Sequence, residues 1–402
     1  MVIKSAFNND KLLDFILSSF IVSIFYYVPY FGSLFWFHII LNAIIVIIAL
    51  FVLLENNGKF LLKKNGVYLF CIFIISILYS LLIFNIQFVF IFSVIFSIAY
   101  ASLGYHINGE LIKLSFLSRL ASILLFFGLT WVVLAKFIPS LNYVYNIDYG
   151  ITIFDLNLYN NGYNVGRTGW NTSLVVIYFL FLLLLNNCVK IFDKIICYSN
   201  LFLIIASTLV SDGKTGIIII VSFFIFNFMR KIGYILSSVF LVSSFLLVSY
   251  YFNYIKIFLI ENTRLGMIFD SSADFTTGRN DASLTAIEII KDNIIIGTAY
   301  KGGYNLFDYG YEYKDIHNVW LNLIANFGVV YFLFYITFLG LFVFNAIKIS
   351  KKYGENSYIY YQLILACFII TLVEPWVFVS YLPYMAIFWF ILGSMSKSSK
   401  IK

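Results

Sequence analysis

Charged residues are scarce in this chain: Asp, Glu, Lys and Arg make up only 11% of its 402 residues, whereas hydrophobic residues make up 62%. A soluble domain of this length needs far more polar surface, so the composition excludes that class. The sequence also lacks the roughly ten-residue segments of alternating polarity that are typical of an outer-membrane barrel. Helices then remain as the structure in which the backbone N–H and C=O groups can all form hydrogen bonds within lipid. We therefore predict an all-α polytopic membrane protein.

Cysteine and histidine are few as well, and their positions build no recognisable site. The four cysteines lie in no outward loop of the topology given below, so we expect no exported disulfide framework. The three histidines are scattered without the spacing of metal ligands, and we predict no metal site. Only one of them, His317, falls in a predicted outward loop.

Apolar stretches follow one another along the whole chain, and we predict about twelve membrane spans, because a helix that crosses the hydrocarbon core needs about 20 apolar residues. The first stretch lacks the cleavage site of a signal peptide, so we expect it to be retained. Two longer polar stretches interrupt the series, at 139–170 and 254–326. The predicted spans are 12–30, 33–54, 67–85, 87–104, 116–138, 171–187, 195–211, 216–229, 232–253, 327–347, 358–373 and 380–395.

The distribution of charge orients these spans. Lys and Arg outnumber Asp and Glu in one set of connections, which comprises both termini and residues 55–66, 105–115, 188–194, 230–231 and 348–357. Because an excess of Lys and Arg marks the cytoplasmic side, we predict cytoplasmic termini and two outward (periplasmic) loops, 139–170 and 254–326, in a single membrane domain, residues 1–402. The net charge of +7 is then a signal of topology and not of nucleic acid binding.

The large outward loop lies between the ninth and tenth spans and is far longer than an ordinary connection. Apolar residues at helical spacing predict a helix near 279–291 that lies along the membrane surface or against the bundle. A turn-rich segment containing Gly297 follows it. A second short helix is predicted to begin at His317-Asn318, and Gly328 separates it from the tenth span. The loop is thus predicted to carry two interfacial helices over the outer mouth of the bundle.

Two residues of this loop stand at predicted helix starts. Arg279 opens the first helix, where the helix dipole and free N–H groups favour an anion, and its guanidinium can fork onto a phosphate. The alternative is a solvated residue paired with Asp281 or Asp274. His317 can take up and release a proton near neutral pH, and its alternative role is that of a helix cap or a residue at the lipid interface.

Three further basic residues are candidates for binding an anion. Lys214 lies in a turn between two unusually short predicted spans, which draws the turn below the membrane surface, where a lysine needs a cavity or a partner. The alternative is that Lys214 reaches the interface and pairs with Asp212. Arg167 ends the first outward loop and either reaches the same cavity or anchors the chain at the interface. Arg264, in the large loop, leaves the same two alternatives open.

Short motifs of the large loop form a pattern with the spans around them. They are Thr277-Gly278-Arg279, Ile289-Ile290-Lys291-Asp292-Asn293, Gly297, His317-Asn318 and Gly328. This pattern resembles the O-antigen ligase/polymerase superfamily, and within it the chain looks most like a Wzy-type O-antigen or capsular repeat-unit polymerase. The resemblance is strongest over about residues 205–347 and covers the rest of the chain only as topology.

The resemblance implies a glycosyltransferase at the outer face of the bacterial cytoplasmic (inner) membrane. Glycans on undecaprenyl diphosphate serve as donor and acceptor in that family, and this activated leaving group needs no cofactor. Membrane lipid and a regulator of chain length are further expected partners. Arg279 matches the loop arginine that holds the diphosphate, and His317 matches the loop histidine, a candidate base. Lys214 occupies a turn where members of the family commonly have Arg, and a lysine cannot make the two parallel hydrogen bonds that a guanidinium makes to a phosphate. Arg167 corresponds to the arginine of the family's first outward loop.

Two other functions stay open on the sequence. A ligase of the same superfamily would use the same residues to transfer the glycan to a lipid A core sugar. A flippase for lipid-linked oligosaccharides is a transporter, a class that tends to show inverted repeats and charges at the membrane midplane. In this chain the charges concentrate at the predicted outer face and no repeat is visible, so we favour the polymerase.

Overall fold

The computed structural model describes residues 9–24, 35–56, 58–82, 88–106, 113–138, 167–211, 214–232, 279–298, 316, 318–351, 354–372 and 383–396, together with scattered positions between 236 and 257. The regular structure of these residues is helical throughout, with no strand among them, so the predicted all-α fold class is confirmed. Much of the two predicted outward loops lies outside the described residues, namely 139–166, 258–278 and 299–315.

Twelve helices have bounds within the described residues, and we number them in chain order; the scattered described positions between 236 and 257 are helical as well, apart from Tyr251. They are α1 (Asn9–Ser23), α2 (Phe35–Glu55), α3 (Lys64–Leu82), α4 (Phe88–His106), α5 (Phe116–Phe137), α6 (Arg167–Asn187), α7 (Ile191–Val210), α8 (Lys214–Ile232), α9 (Arg279–Asp292), α10 (Val319–Ser350), α11 (Glu355–Ile370) and α12 (Pro383–Met395).

Four of the described helices are long and apolar enough to cross a membrane, judged by their length and composition alone. These apolar stretches are Phe116–Leu134 in α5, Trp170–Asn187 in α6, Ile191–Val210 in α7 and Val319–Ser350 in α10. Shorter apolar stretches lie in α2, α3, α4, α8, α11 and α12. The helices therefore indicate a membrane protein.

The bounds of α7 correct one sequence prediction. The predicted span at 195–211 was short, whereas α7 has 20 residues and begins at Ile191. The difference arises because Asp193, which the hydropathy pattern excludes from the span, lies inside the helix and is buried. Its carboxylate oxygens accept hydrogen bonds from Nε and Nη2 of Arg119 on α5, at 2.6 and 2.9 Å, and this bidentate pair makes the burial of the charge tolerable.

The most enclosed of these four helices is α6. Of its apolar stretch 78% is buried inside the protein, compared with 33% for the stretch of α5. It packs against α7, α8, α11 and α12. Its first turns are polar as well as buried, since Asn171, Thr172 and Ser173 are almost completely covered. Helix α6 therefore begins with buried polar residues.

Two helices, α4 and α12, pack with their backbones in direct contact. A Cβ atom on Gly104 would overlap the carbonyl oxygen of Phe390, and a Cβ atom on Gly393 would overlap that of Ala101. Because no side chain stands between them, the two helices approach more closely than large residues would allow. Small residues at helix interfaces provide this close packing in membranes, where the hydrophobic effect between helices is absent.

Candidate functional site

Helix α9 packs against the first part of α10. Ala282, Ala286 and Ile289 are completely buried, and they form a cluster with Ile316 and Ala325. The helix predicted near 279–291 is therefore observed as α9. Its buried apolar face packs against α10, so this face lies against the bundle, which is one of the two predicted environments.

The start of α10 is held by two sets of hydrogen bonds. Oδ1 of Asn318 accepts from the backbone N–H groups of Trp320 and Leu321, at 3.0 and 3.1 Å, and so caps the helix. The N–H group of Val319 donates to the carbonyl oxygen of Thr371, the C-cap residue of α11, at 2.9 Å. The prediction of a helix that opens at Asn318 is confirmed. His317 lies outside the described residues.

Gly328 interrupts α10, as the sequence predicts. Its φ of 77° and ψ of 169° are not helical, so a short segment, 319–327, is set apart from a long one, 329–350. A positive φ at this position favours glycine, because other residues adopt it only with strain. A Cβ atom on Gly328 would also overlap the carbonyl oxygen of Ile295.

The turn after α9 holds this kink, and we name the contact of residues 294–298 with residues 325–329 the kink clamp. The N–H group of Val329 donates to the carbonyl oxygen of Ile294, at 2.8 Å. The N–H group and the hydroxyl of Thr298 both donate to the carbonyl oxygen of Ala325, at 2.9 and 3.2 Å. The clamp therefore satisfies backbone groups that the break in the helix leaves without their usual partners.

The kink clamp and the buried face of α9 together hold this helix against α10. The end of α9 is held at residues 325–329, while its buried face lies in one cluster with Ile316, Ala325 and the flanking Leu321. Helix α9 is therefore held against the first segment of α10 at two places, along its buried face and at the kink clamp.

A second group of candidates meets at the first turns of α6 and α8. Arg167 is the first residue of α6, and Lys214 is the first residue of α8 rather than part of a turn. The hydroxyl of Ser211 donates to Oδ1 of Asn171, at 3.1 Å. A Cβ atom on Gly216 would lie 3.0 Å from Cβ of Asn171. The backbones at the starts of α6 and α8 are therefore neighbours.

Basic residues at these helix starts have an electrostatic consequence. Helices α6, α8 and α9 each begin with Arg or Lys, and neither α6 nor α8 has an acidic residue in its first turn. A cation at the positive end of a helix dipole is unfavourable, whereas an anion there is favoured by both the dipole and the free N–H groups. These helix starts are therefore suited to an anion such as a phosphate.

An aromatic cluster lies directly below the kink, between α3 and α10. The rings of Tyr79 and Tyr331 have centroids 5.3 Å apart, and Phe327 packs on both. The hydroxyl groups of Tyr331 and Ser76 are 2.9 Å apart and share a hydrogen bond. This cluster supports the short segment of α10 from beneath, and the sequence analysis missed it because aromatic residues occur along all the spans.

The structure packs α9, which Arg279 begins, against α10, and it places the first turns of α6 and α8, which Arg167 and Lys214 begin, in contact through Asn171, Ser211 and Gly216. Arg264, like His317, lies outside the described residues. Sequence reasoning also missed Thr298 and Asn171, although each lies within four residues of a motif glycine or arginine. Within the described part of the chain, no group of three or more His, Cys, Asp and Glu residues could hold a metal ion. In comparisons with known proteins, no family model and no curated protein matches the chain.

Proposed function

We propose that this protein is a glycosyltransferase of the bacterial cytoplasmic membrane, with about twelve spans, that polymerises oligosaccharide repeat units carried on undecaprenyl diphosphate. The resemblance of its loop motifs to the O-antigen ligase/polymerase superfamily supports the proposal. In this topology both termini are cytoplasmic, and the large loop with α9 faces outward.

One observation carries the proposal. The helix that Arg279 begins and the helix that follows His317-Asn318 pack together in one buried cluster and are joined by the kink clamp. A reaction between a diphosphate-activated sugar and a hydroxyl needs a cation for the leaving diphosphate and a base for the hydroxyl proton. Two motifs that are about forty residues apart in the sequence thereby become parts of one unit, as a shared active site requires.

The proposed reaction uses these residues in separate roles. The acceptor hydroxyl oxygen attacks the anomeric carbon of the donor, the bond from that carbon to the diphosphate oxygen breaks, and His317 takes the hydroxyl proton. Arg279 binds the diphosphate, on which negative charge develops. Lys214 and Arg167, at the neighbouring starts of α8 and α6, and Arg264 supply further positive charge for the same lipid-linked substrates.

The test is chain lengthening by the purified protein in lipid vesicles that contain undecaprenyl-diphosphate-linked repeat units. We expect Arg279→Ala and His317→Ala to lower the rate by about 100-fold or more, because single groups that stabilise developing charge contribute on that order. Glu288→Ala is the matched control, since Glu288 is an exposed charged residue of the same helix and lies outside the motifs that carry the resemblance. We expect this variant to lengthen chains at the parent rate.

Other outcomes separate the competing functions. Transfer of the glycan to a lipid A core sugar without lengthening would identify a ligase. Movement of the substrate across the bilayer without any transfer would identify a flippase. Parent rates in both the Arg279 and His317 variants would contradict the proposed site even if lengthening occurs.

A further inference from the structure

Helix α9 and the turn after it expose a row of large apolar side chains. Leu284, Ile287, Ile294, Ile295 and Ile296 are between 40% and 63% exposed. We name these five residues the apolar ridge. Five exposed large apolar side chains within thirteen residues are uncommon on parts of a protein that face water, and they mark a surface that contacts something apolar.

The ridge is separate from the face by which α9 packs on α10. Ala282, Ala286 and Ile289 are completely covered, and at about 100° per residue they lie on the side of the helix opposite to Leu284 and Ile287. Acidic residues form a third strip, between the ridge and the buried face. They are Asp281, Glu288 and Asp292, and all three are exposed. Lys291 is also exposed, and around the helix it falls between Leu284 and Ile287 in the last turn, where its aliphatic stem can lie along apolar surface while the ammonium group reaches the interface. Outside its contact with α10, the helix therefore presents one acidic surface and one mainly apolar surface that ends at Lys291.

The ridge continues the exposed apolar surface of α10. Ile294 accepts a hydrogen bond from the N–H group of Val329, so the three isoleucines of the turn lie next to the first turn after the kink. That part of α10 exposes Val330, Leu333 and Phe334. It belongs to a helix that is long and apolar enough to cross a membrane. If lipid covers these side chains, it also reaches the adjacent turn that carries Ile294, Ile295 and Ile296.

We propose that the apolar ridge inserts among the acyl chains of the bilayer and anchors α9 at the membrane interface. Lipid fits better than a protein partner for two reasons. The turn of the ridge lies beside a helix that is long and apolar enough to cross a membrane, and the acidic strip on α9 can remain in water while the ridge is in lipid, because an amphipathic helix at an interface has one apolar and one polar face. The kink clamp fits this position, because it pairs the carbonyl oxygen of Ala325 and the N–H group of Val329, two backbone groups at the break that would otherwise be costly to expose to lipid.

The inference goes beyond the proposed function and does not depend on it, since the ridge would bind lipid whatever reaction the protein performs. It concerns a different part of α9 from Arg279. Its consequence is that the depth of α9 is set by the bilayer as well as by α10.

The experiment uses single cysteine variants of the full chain, labelled with an environment-sensitive fluorophore and reconstituted in phosphatidylcholine vesicles. The positions are Ile295→Cys on the ridge and Glu288→Cys on the acidic strip as the matched control. We expect nitroxide groups placed high on the lipid acyl chains to quench the label at residue 295 at least several-fold more than the label at residue 288. Iodide in the aqueous phase should quench the two labels in the opposite order.

The native cysteines are replaced by serine in all variants, and this parent, treated with the same reagent, provides the blank. Equal quenching of the two labels by iodide would overturn the proposal, because the ridge would then face water. Protection of residue 295 from both quenchers would also overturn it, because protein would then cover the ridge. Leu284→Cys repeats the measurement at a second ridge position, so that the result stands if one variant fails to fold.

Discussion

A single ion pair ties α5 to α7. Arg119 binds Asp193 through two hydrogen bonds, and the Arg119 side chain is 29% exposed while that of Asp193 is 7% exposed. Nearby, Asp14 of α1 accepts hydrogen bonds from the N–H groups of Leu117 and Ser118, both at 2.9 Å, and caps α5. Charged side chains thus connect three helices that are far apart in the sequence.

Removal of one partner of the ion pair should destabilise the protein strongly. We expect Arg119→Ala to lower the free energy of unfolding by about 2–3 kcal/mol, less than the ~3–5 kcal/mol typical of a fully buried pair, because water reaches part of the guanidinium. The measurement is thermal unfolding of the purified protein in detergent.

The adjacent residue offers a control for this change. Lys194→Ala removes a basic residue that is exposed on α7, and we expect little change in the unfolding temperature. The reversed pair, Arg119→Asp with Asp193→Arg, should recover part of the lost stability. Equal effects of Arg119→Ala and Lys194→Ala would show that the ion pair contributes nothing.

At the scale of the element, the break in α10 depends on a glycine. Gly328 has a positive φ, and a Cβ atom there would overlap the backbone of the turn after α9. We expect Gly328→Ala to open the kink clamp and to lower the free energy of unfolding by roughly 2–4 kcal/mol, from backbone strain together with lost hydrogen bonds. The readout is again thermal unfolding in detergent.

A second glycine of the same helix provides the matched control. Gly340 has helical surroundings, and a Cβ atom there would meet no other atom within 4 Å. Gly340→Ala should therefore leave stability unchanged or raise it by up to about 1 kcal/mol, the difference in helix propensity. If both variants melted at the same temperature, the kink clamp would have no energetic role.

Local signals were the most predictable part of these elements. Asn318 lies before an apolar run and Gly328 interrupts one, so the start and the break of α10 could be read from neighbouring residues. The kink clamp could not be predicted, because the bond from Thr298 to Ala325 joins residues with no pattern in common. The length of α7 was predicted wrongly for a related reason, since the partner that allows Asp193 inside the helix lies on α5.

At the scale of the whole molecule, the apolar composition was sufficient for the helical class but not for the arrangement of helices. The close approach of α4 and α12 depends on Gly104 and Gly393, which are nearly three hundred residues apart in the sequence. The meeting of the starts of α6 and α8 likewise depends on Asn171 and Ser211. Such contacts depend on which helix faces pack together in the folded protein. Hydropathy along the sequence does not specify this pairing of faces.

The length of α10 after the kink gives the topology a test. Residues 329–350 rise by roughly 33 Å at 1.5 Å per residue, close to the ~30 Å thickness of the hydrocarbon core. If this segment crosses the membrane, Gly328 lies near one surface and the basic residues Lys348 and Lys351 lie near the other. Because an excess of Lys and Arg marks the cytoplasmic side, the end of α10 should be cytoplasmic and α9 should face outward.

Reporter insertions can measure both ends of this segment in the same cell. We expect alkaline phosphatase, which is active only outside the cytoplasm, to be active when inserted at residue 310 and inactive when inserted after residue 351 or fused after residue 402. A green fluorescent protein that folds only in the cytoplasm should give the opposite pattern. Phosphatase activity at residue 351 would reverse the orientation of α10, and the large loop with Arg279 could then no longer meet a substrate at the outer face. If the phosphatase were inactive at residue 310 and at both other positions, the large loop would not be exported. That result would contradict the proposed reaction, which takes place at the outer face of the membrane.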